Sequence, residues 1–468
     1  MSELHLYNTL TRRKDPFVPL EPGKVRIYSC GPTVYSRQHL GNLRTYVFAD
    51  LLNRVLRYFG FQVKHVINIT DVGHLTGDTD DTGDDKMEKA AREAKLTAWD
   101  VAAKWTGVFR ADLAKLGFRE PDVWCKATDH IPEQIAMIRT LEEKGFTYRI
   151  SDGVYFDTAK DPHYGELAGT HLSEQETQAR IERAGEKRNA ADFALWKLSQ
   201  PSESRQMEWD SPWGRGFPGW HIECSAMSIK HLGNHFDIHT GGIDHIPVHH
   251  PNEIAQSENA LGERPWVKTW LHGGWLMFGD SKLSKSTGGS VLNLDALLDA
   301  GIAPLAYRYF LLGGHYRQQL AFSEDAIRGA QTSLERLLRR AAELREDDSS
   351  RGKAEQAELR ARFRAALADD LNAPRALAVA WETVRSDSLG GREKWELLRE
   401  FDQVLALGLS DAKVEEQETD AEIDSLVRAR DEARAAKNFR RADELRDELK
   451  RRGVILTDSP QGTRWKRG

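Results

Sequence analysis

The feature that most constrains this chain is a strand–helix–strand run in its first 70 residues. Residues 25–30 (VRIYSC) form a short β-rich stretch that ends at Gly31-Pro32. A helical pattern follows over 42–59, where Tyr46, Leu51, Leu52, Val55, Leu56 and Phe59 recur at three- and four-residue steps. Gly60 stands where a glycine past a helix end belongs. Residues 61–70 (FQVKHVINIT) read as the next strand. Two strands joined by one helix favour a parallel α/β sheet. The loop between the first strand and the helix then lies at a strand's carboxyl edge and a helix N-terminus, a natural place for a ligand.

The rest of the 468 residues divides by pattern. Helical spacing resumes over 87–116 and 132–144, residues 154–157 read as a strand in a mixed segment reaching about 202, and 220–247 returns to β/α character. From about 304 to the end the pattern is nearly all helical, broken by polar stretches at 346–352 and 409–420 that read as linkers. The Gly/Asp-rich run GHLTGDTDDTGDD, just after Asp71, reads as a solvated loop ahead of a cation site, because its spacing is not that of an EF-hand. No run approaches the ~20 apolar residues of a membrane span, and the amino end lacks the apolar stretch of a secretion signal. Three cysteines are too few for a disulfide framework, so a reducing cytoplasm is expected. Net charge is −6, but residues 421–468 hold 13 Lys/Arg against 9 Asp/Glu. A basic tail on an acidic body points weakly to a polyanion, and on these counts alone a solvated charged helix fits it better.

Three clusters carry chemistry. His39, Gly41 and Asn42 open the first helix and suit phosphate oxygens: Gly41 allows close backbone approach, and the other two bring short donors. Lys282, Ser284, Lys285 and Ser286, followed by Thr287-Gly288-Gly289, form a loop whose lysines can neutralise a triphosphate. Cys224, His249 and Glu253 make the third, with His249 and Glu253 four apart on one helical face. Cys30 completes a set chemically suited to Zn²⁺, although two buried cysteines and a satisfied histidine explain the same residues. Cys125 has no such company and reads as structural.

Taken in order, these clusters resemble the class I aminoacyl-tRNA synthetases, and specifically the cysteinyl-tRNA synthetase family. Residues 32–42 are similar to its HIGH segment, 282–286 to its KMSKS segment, and Gly219-Trp220-His221-Ile222-Glu223-Cys224-Ser225 to its zinc-cysteine segment. Asn42 stands in place of the second HIGH histidine, Pro251 in place of a glutamate, and the Gly/Asp-rich run splits Asn68-Ile69-Thr70-Asp71 from Asp84-Asp85-Lys86. The resemblance implies a Rossmann-type parallel sheet interrupted by an inserted segment, then an all-α tRNA-binding half. Its expected divisions are 1–120 and 206–303 for the two catalytic halves, 121–205 for the insertion, 304–345 for a helical linker, 355–409 for an anticodon-arm domain and 421–468 for an anticodon-binding end.

The resemblance further implies ATP-dependent activation of L-cysteine and its transfer to the terminal adenosine of tRNA(Cys), by a monomer away from any membrane. Zinc is expected on Cys30, Cys224, His249 and Glu253, and Mg²⁺ with ATP. His39, Gly41, Asn42, Lys282, Ser284, Lys285 and Ser286 are expected at the phosphates. Trp220 is expected to wall the cysteine pocket, with Thr70 and Asp244 at its polar end. Arg464, Trp465 and Lys466 are expected on the tRNA, with Trp465 exposed and stacked on an unpaired base. Two neighbouring readings are a ligase joining cysteine to an aminosugar, which lacks the long tail, and a non-catalytic zinc and RNA-binding paralogue.

Overall fold

The computed structural model describes residues 3–73, 85–169, 186–199, 205–278, 292–413, 420–459 and 462–467. The chain forms two compact units, Met1–Asp411 and Ala412–Gly468. At the centre of the first is a five-stranded, wholly parallel sheet in the order Val267–Gly273, Phe236–Gly242, Lys24–Ser29, Gln62–Ile69, Val123–Lys126. The first strand is the middle one. From it the chain builds outward to one edge, then returns and builds to the other. The order therefore reverses between Lys24–Ser29 and Phe236–Gly242, and the crevice beyond their carboxyl ends is where such sheets bind ligands.

The helix Leu40–Tyr58 spans the expected βαβ unit, with Leu43, Val47, Leu51, Val55 and Leu56 buried. Gly60 ends it at φ +92°, a left-handed conformation that costs glycine nothing. The pattern over 87–116 is two helices, Lys86–Ala94 and Ala98–Lys115. Lys95 turns left-handed at φ 54°, and Thr97 with Asp100 forms a capping box that starts the second helix. A four-stranded antiparallel sheet, in the order Thr147–Ile150, Gly153–Phe156, Phe193–Leu198, Gly216–Pro218, is inserted between the halves of the parallel sheet. No helix among the described residues is long and apolar enough to cross a membrane.

The helical second half carries β-structure that periodicity does not reveal. Leu320–Phe322 pairs in parallel with Leu276–Phe278. The second unit consists of the helices Ala421–Ala435 and Phe439–Arg451 and an antiparallel hairpin, Val454–Ser459 with Gly462–Arg467. The hairpin corrects the expectation for Trp465. Its indole is buried against Ile423, Val427, Leu449 and Val454, and its Nε1 donates to Asp424 Oδ1 at 2.7 Å. It is the core of this small unit and is not available to stack on a base. Arg464 and Lys466 occupy the same strand, and their side chains lie outside the described residues.

One buried histidine of the first unit is held by two neighbours. His65 accepts from Asn53 Nδ2 at 3.3 Å through Nδ1, which leaves its Nε2–H to donate to Ser29 Oγ at 2.9 Å. Burial lowers its pKa to about 4, against the nearby Asp50 and Asp122 carboxylates. The unfolded chain therefore takes up this proton near pH 6.5 and the folded chain does not, so stability present above pH 6.5 is lost on acidification toward pH 4, by about 1.4 kcal/mol per pH unit at most. Between pH 7 and 5.5, urea unfolding is expected to show an acid loss smaller in His65→Gln than in the wild type by about 1 kcal/mol. Equal losses in the two proteins would contradict this.

Candidate active site

Cys30 is the residue that follows the central strand, at the reversal crevice. Its neighbour Gly31 donates its N–H to Asn68 Oδ1 at 2.7 Å, and a Cβ at position 31 would meet the Asn68 carbonyl oxygen at 1.5 Å, so only glycine lets the two strand ends close up. The helix Trp220–Leu232 brings in Cys224, and the helix His249–Leu261 brings in His249 and Glu253 on one face. All four side chains are at most 6% exposed, so water does not compensate them. Cys30 Sγ lies 3.9 Å from Cys224 Sγ and 3.6 Å from Glu253 Oε1, and His249 Nε2 lies 3.0 Å from that same oxygen.

This geometry passes the test for a metal. A tetrahedral ion with bonds of about 2.3 Å to sulfur and 2.0–2.1 Å to nitrogen or oxygen needs its ligand atoms about 3.3–3.8 Å apart. The ligand atoms of Cys30, Cys224, His249 and Glu253 all lie within 4.8 Å of one another. Burial works against a charged His249, but Glu253 and Cys224 outweigh it and bring its pKa up to about 10. Burial likewise opposes the Glu253 carboxylate, and His239 and His249 pull it below the usual range. The Cys30 thiol is pushed up by burial, whereas the hydrogen bond with Cys30 draws Cys224 down against the same burial. An entering cation would take the place of protons that these groups hold.

The phosphate-type cluster lies at the start of the helix Leu40–Tyr58. His39 is its N-cap, and His39 Nδ1 accepts the Asn42 backbone N–H at 3.1 Å. Burial lowers the His39 pKa, with Asp244 opposing, so the ring is neutral and its proton is on Nε2. A Cβ at Gly41 would sit 3.0 Å from two atoms of this ring. Asn42 Nδ2 donates to Gln38 Oε1 at 2.7 Å, and no acidic residue occupies the first turn. The Leu40 N–H donates to the Leu292 carbonyl at 2.8 Å. Leu292 is the first described residue after Lys282, Ser284, Lys285 and Ser286 in the chain. The four residues themselves lie outside the described ones, as does nearly all of the Gly/Asp-rich run after Asp71.

Residues 16–332 match the family described as tRNA synthetases class I (C), catalytic domain, and residues 416–465 match the cysteinyl-tRNA ligase anticodon-binding domain. The cysteine–tRNA ligase 1 of Burkholderia lata is 48% identical over 98% of this chain and 96% of its own length. The chain belongs to the cysteinyl-tRNA synthetase family. The cysteine–tRNA ligase of Treponema denticola is 42% identical over 99% of each chain. Among solved structures, Mycobacterium tuberculosis methionyl-tRNA synthetase in complex with methionyl-adenylate covers 84% of this chain and 92% of its own, with a TM-score of 0.53 at 16% identity. The Agrobacterium radiobacter K84 agnB2 LeuRS covers 84% of each chain, with a TM-score of 0.57 at 12% identity. At such identities these two establish the fold alone.

In this family member Trp220, of the expected pocket residues, lies against the cluster. Trp220 is half-buried, its ring 4.3 Å from that of His249. Thr70 is buried and donates to Glu223 Oε2 at 3.0 Å while accepting from Asn68 Nδ2 at 3.0 Å. Asp244 follows the strand Phe236–Gly242 in a short turn, its side chain 61% exposed. Sequence reasoning missed the surrounding shell. His239 Nε2 lies 2.8 Å from Glu253 Oε2, His221 Nδ1 2.8 Å from His249 Nδ1, and His250 Nδ1 2.8 Å from His272 Nε2. One signal was available, since eight of the 16 histidines fall within 221–272. If the cluster is a metal site, purified protein carries about one divalent ion per chain, and Cys30→Ser lowers that occupancy when metal is quantified after gel filtration. Full occupancy in Cys30→Ser would exclude the assignment.

Proposed function

We propose that this chain is a cysteine–tRNA ligase that activates L-cysteine with ATP and passes the cysteinyl group to the 3′-terminal adenosine of tRNA(Cys) in the cytoplasm. The observation that carries the reading is the convergence of two thiols, an imidazole and a carboxylate at the crevice of a synthetase fold. Cys30, Cys224, His249 and Glu253 would hold Zn²⁺ through the single oxygen Glu253 Oε1, which leaves Oε2 to the His239 N–H. Zinc supplies a soft Lewis acid that favours a deprotonated thiol and leaves a serine hydroxyl protonated and weakly held. The match to an anticodon-binding domain over 416–465 favours this over an aminosugar ligase.

The protein's residues then divide the work. Trp220 closes the side of the pocket. Thr70 donates its O–H to Glu223 and accepts from Asn68, so its second lone pair is the one that accepts from the α-ammonium of cysteine, and Asp244 adds negative charge on that side. The cysteine carboxylate attacks the α-phosphorus of Mg²⁺-bound ATP, and pyrophosphate leaves. His39 Nε2–H donates to a phosphate oxygen, while the helix N-terminus at Gly41 and Asn42 faces the same charge. Lys282 and Lys285, flanked by Ser284 and Ser286, neutralise the oxygens that gain charge in the transition state. A ribose hydroxyl, the 2′ in the class I pattern, then attacks the activated carbonyl and AMP leaves. The divisions 1–120, 121–205, 206–303, 304–345, 355–409 and 421–468 are proposed as the corresponding working parts.

For the anticodon end, Phe439 takes the place first given to Trp465. It is 65% exposed at the start of the helix Phe439–Arg451, beside the exposed Arg440 and Arg441. An exposed ring next to guanidinium groups is a platform for an unpaired base, worth about 1–3 kcal/mol per base. Phe439→Ala is expected to lower charging of tRNA(Cys) about tenfold or more while ATP–pyrophosphate exchange with cysteine is kept. His39→Ala is expected to lose both by about 10²-fold. Charging unaffected by Phe439→Ala would remove the platform, and no charging of tRNA(Cys) by the wild type would remove the function.

A further inference from the structure

The four ligand candidates are not the only set that converges here. The ligand atoms of Cys30, His239, His250 and Glu253 also lie within 4.8 Å of one another, all four buried. This second set shares Cys30 and Glu253 with the first. His250 Nε2 is 3.4 Å from Cys30 Sγ and 3.9 Å from Glu253 Oε1, and His239 Nε2 is 2.8 Å from Glu253 Oε2. The first two of these spacings are close to those a tetrahedral ion imposes on sulfur, nitrogen and oxygen.

The hydrogen bonds around His250 allow it to serve as a ligand. His272 Nδ1 lies 2.8 Å from Thr9 Oγ1, and His272 Nε2 lies 2.8 Å from His250 Nδ1. In the tautomer in which His272 Nδ1–H donates to the hydroxyl, its Nε2 accepts from His250 Nδ1–H, and His250 presents the lone pair of Nε2 toward Cys30. That is how a metal-binding histidine is usually oriented from behind. Gly241 makes room for the ring, because a Cβ there would meet His250 Cε1 at 2.8 Å and Nε2 at 2.9 Å. His239 is held by stacking on Trp270, 4.6 Å between ring centres. As a ligand, His239 would give up its bond to Glu253 Oε2, which ranks this set below the first.

We propose that the cage offers a divalent transition-metal ion two overlapping coordination sets, and that His239 and His250 retain the ion, with Cys30 and Glu253, when Cys224 ceases to be a ligand. This rests on the reading of Cys30, Cys224, His249 and Glu253 as the principal set. The ion would then be kept within the cage by residues that replace Cys224 and His249, and not released.

The test is a double-mutant cycle on Co²⁺ affinity in the full chain, with Cys224→Ala and His250→Gln made singly and together and folding checked by thermal melting. Cobalt in the wild type is expected to show sulfur-to-metal absorption from two thiolates, and in Cys224→Ala from one. The loss of affinity on adding His250→Gln is expected to be at least about tenfold larger in the Cys224→Ala background than in the wild type, because only there has the ion moved onto His250. Equal losses in the two backgrounds overturn the proposal. A tenfold loss from His250→Gln with none from Cys224→Ala overturns instead the assignment of the principal set. Should the double variant not fold, His239→Gln completes the same cycle.

Discussion

Three stretches of sequence carry four side chains to one dry point at the carboxyl edge of the parallel sheet. Two thiols, an imidazole and a carboxylate taken out of water are costly unless they are paired or share a cation, by several kcal/mol for each uncompensated charge. The fold meets the cost with partners. His239 and His249 flank Glu253, and His221 backs His249. Asn68 supports Gly31 with its oxygen and Thr70 with its nitrogen, so one amide aligns the ends of the two central strands and Thr70 together.

The same strand leads to the second half of the site. Nine residues after Cys30 the chain reaches His39, whose ring caps the helix Leu40–Tyr58. That helix is clamped to the helical part of the first unit. Asp50 pairs with the wholly buried Arg308 at 2.7 Å, Arg308 Nε donates to the Leu405 carbonyl at 2.7 Å, and Arg54 reaches the Gln403 carbonyl at 3.0 Å. A buried, multiply bonded guanidinium is a stiff joint, since losing one partner leaves a charge in the interior. The helix that presents His39 therefore moves with the helices around Leu405. Arg44, on the same helix, donates to the Trp275 and Gln318 carbonyls and fixes the chain on the approach to the lysine-bearing segment.

Much of this was legible in the sequence, for physical reasons that also mark where legibility ends. The βαβ unit was readable because apolar spacing reports the buried face of a helix directly, and its observed bounds differ by one or two residues. The shared face of His249 and Glu253 followed from their four-residue step. The break at Lys95 was not seen, because hydrophobic spacing continues across it while the Thr97–Asp100 capping box does the breaking. Trp465 was misplaced for a related reason. Successive residues of a strand face opposite ways, so charged neighbours say nothing about which way the indole points. The histidine shell escaped because its members come from separate strands and helices, and no local pattern joins His221, His239 and His272.

The central claim, that the buried cluster selects cysteine by holding a metal, is tested most directly by ATP–pyrophosphate exchange on metal-quantified protein, with cysteine and serine side by side, before removal of the ion, after it, and after zinc is restored. The account predicts exchange with cysteine alone, lost on metal removal while the protein stays folded, and regained with about one zinc per chain. Equal exchange with serine, or cysteine exchange that survives metal removal, would contradict it.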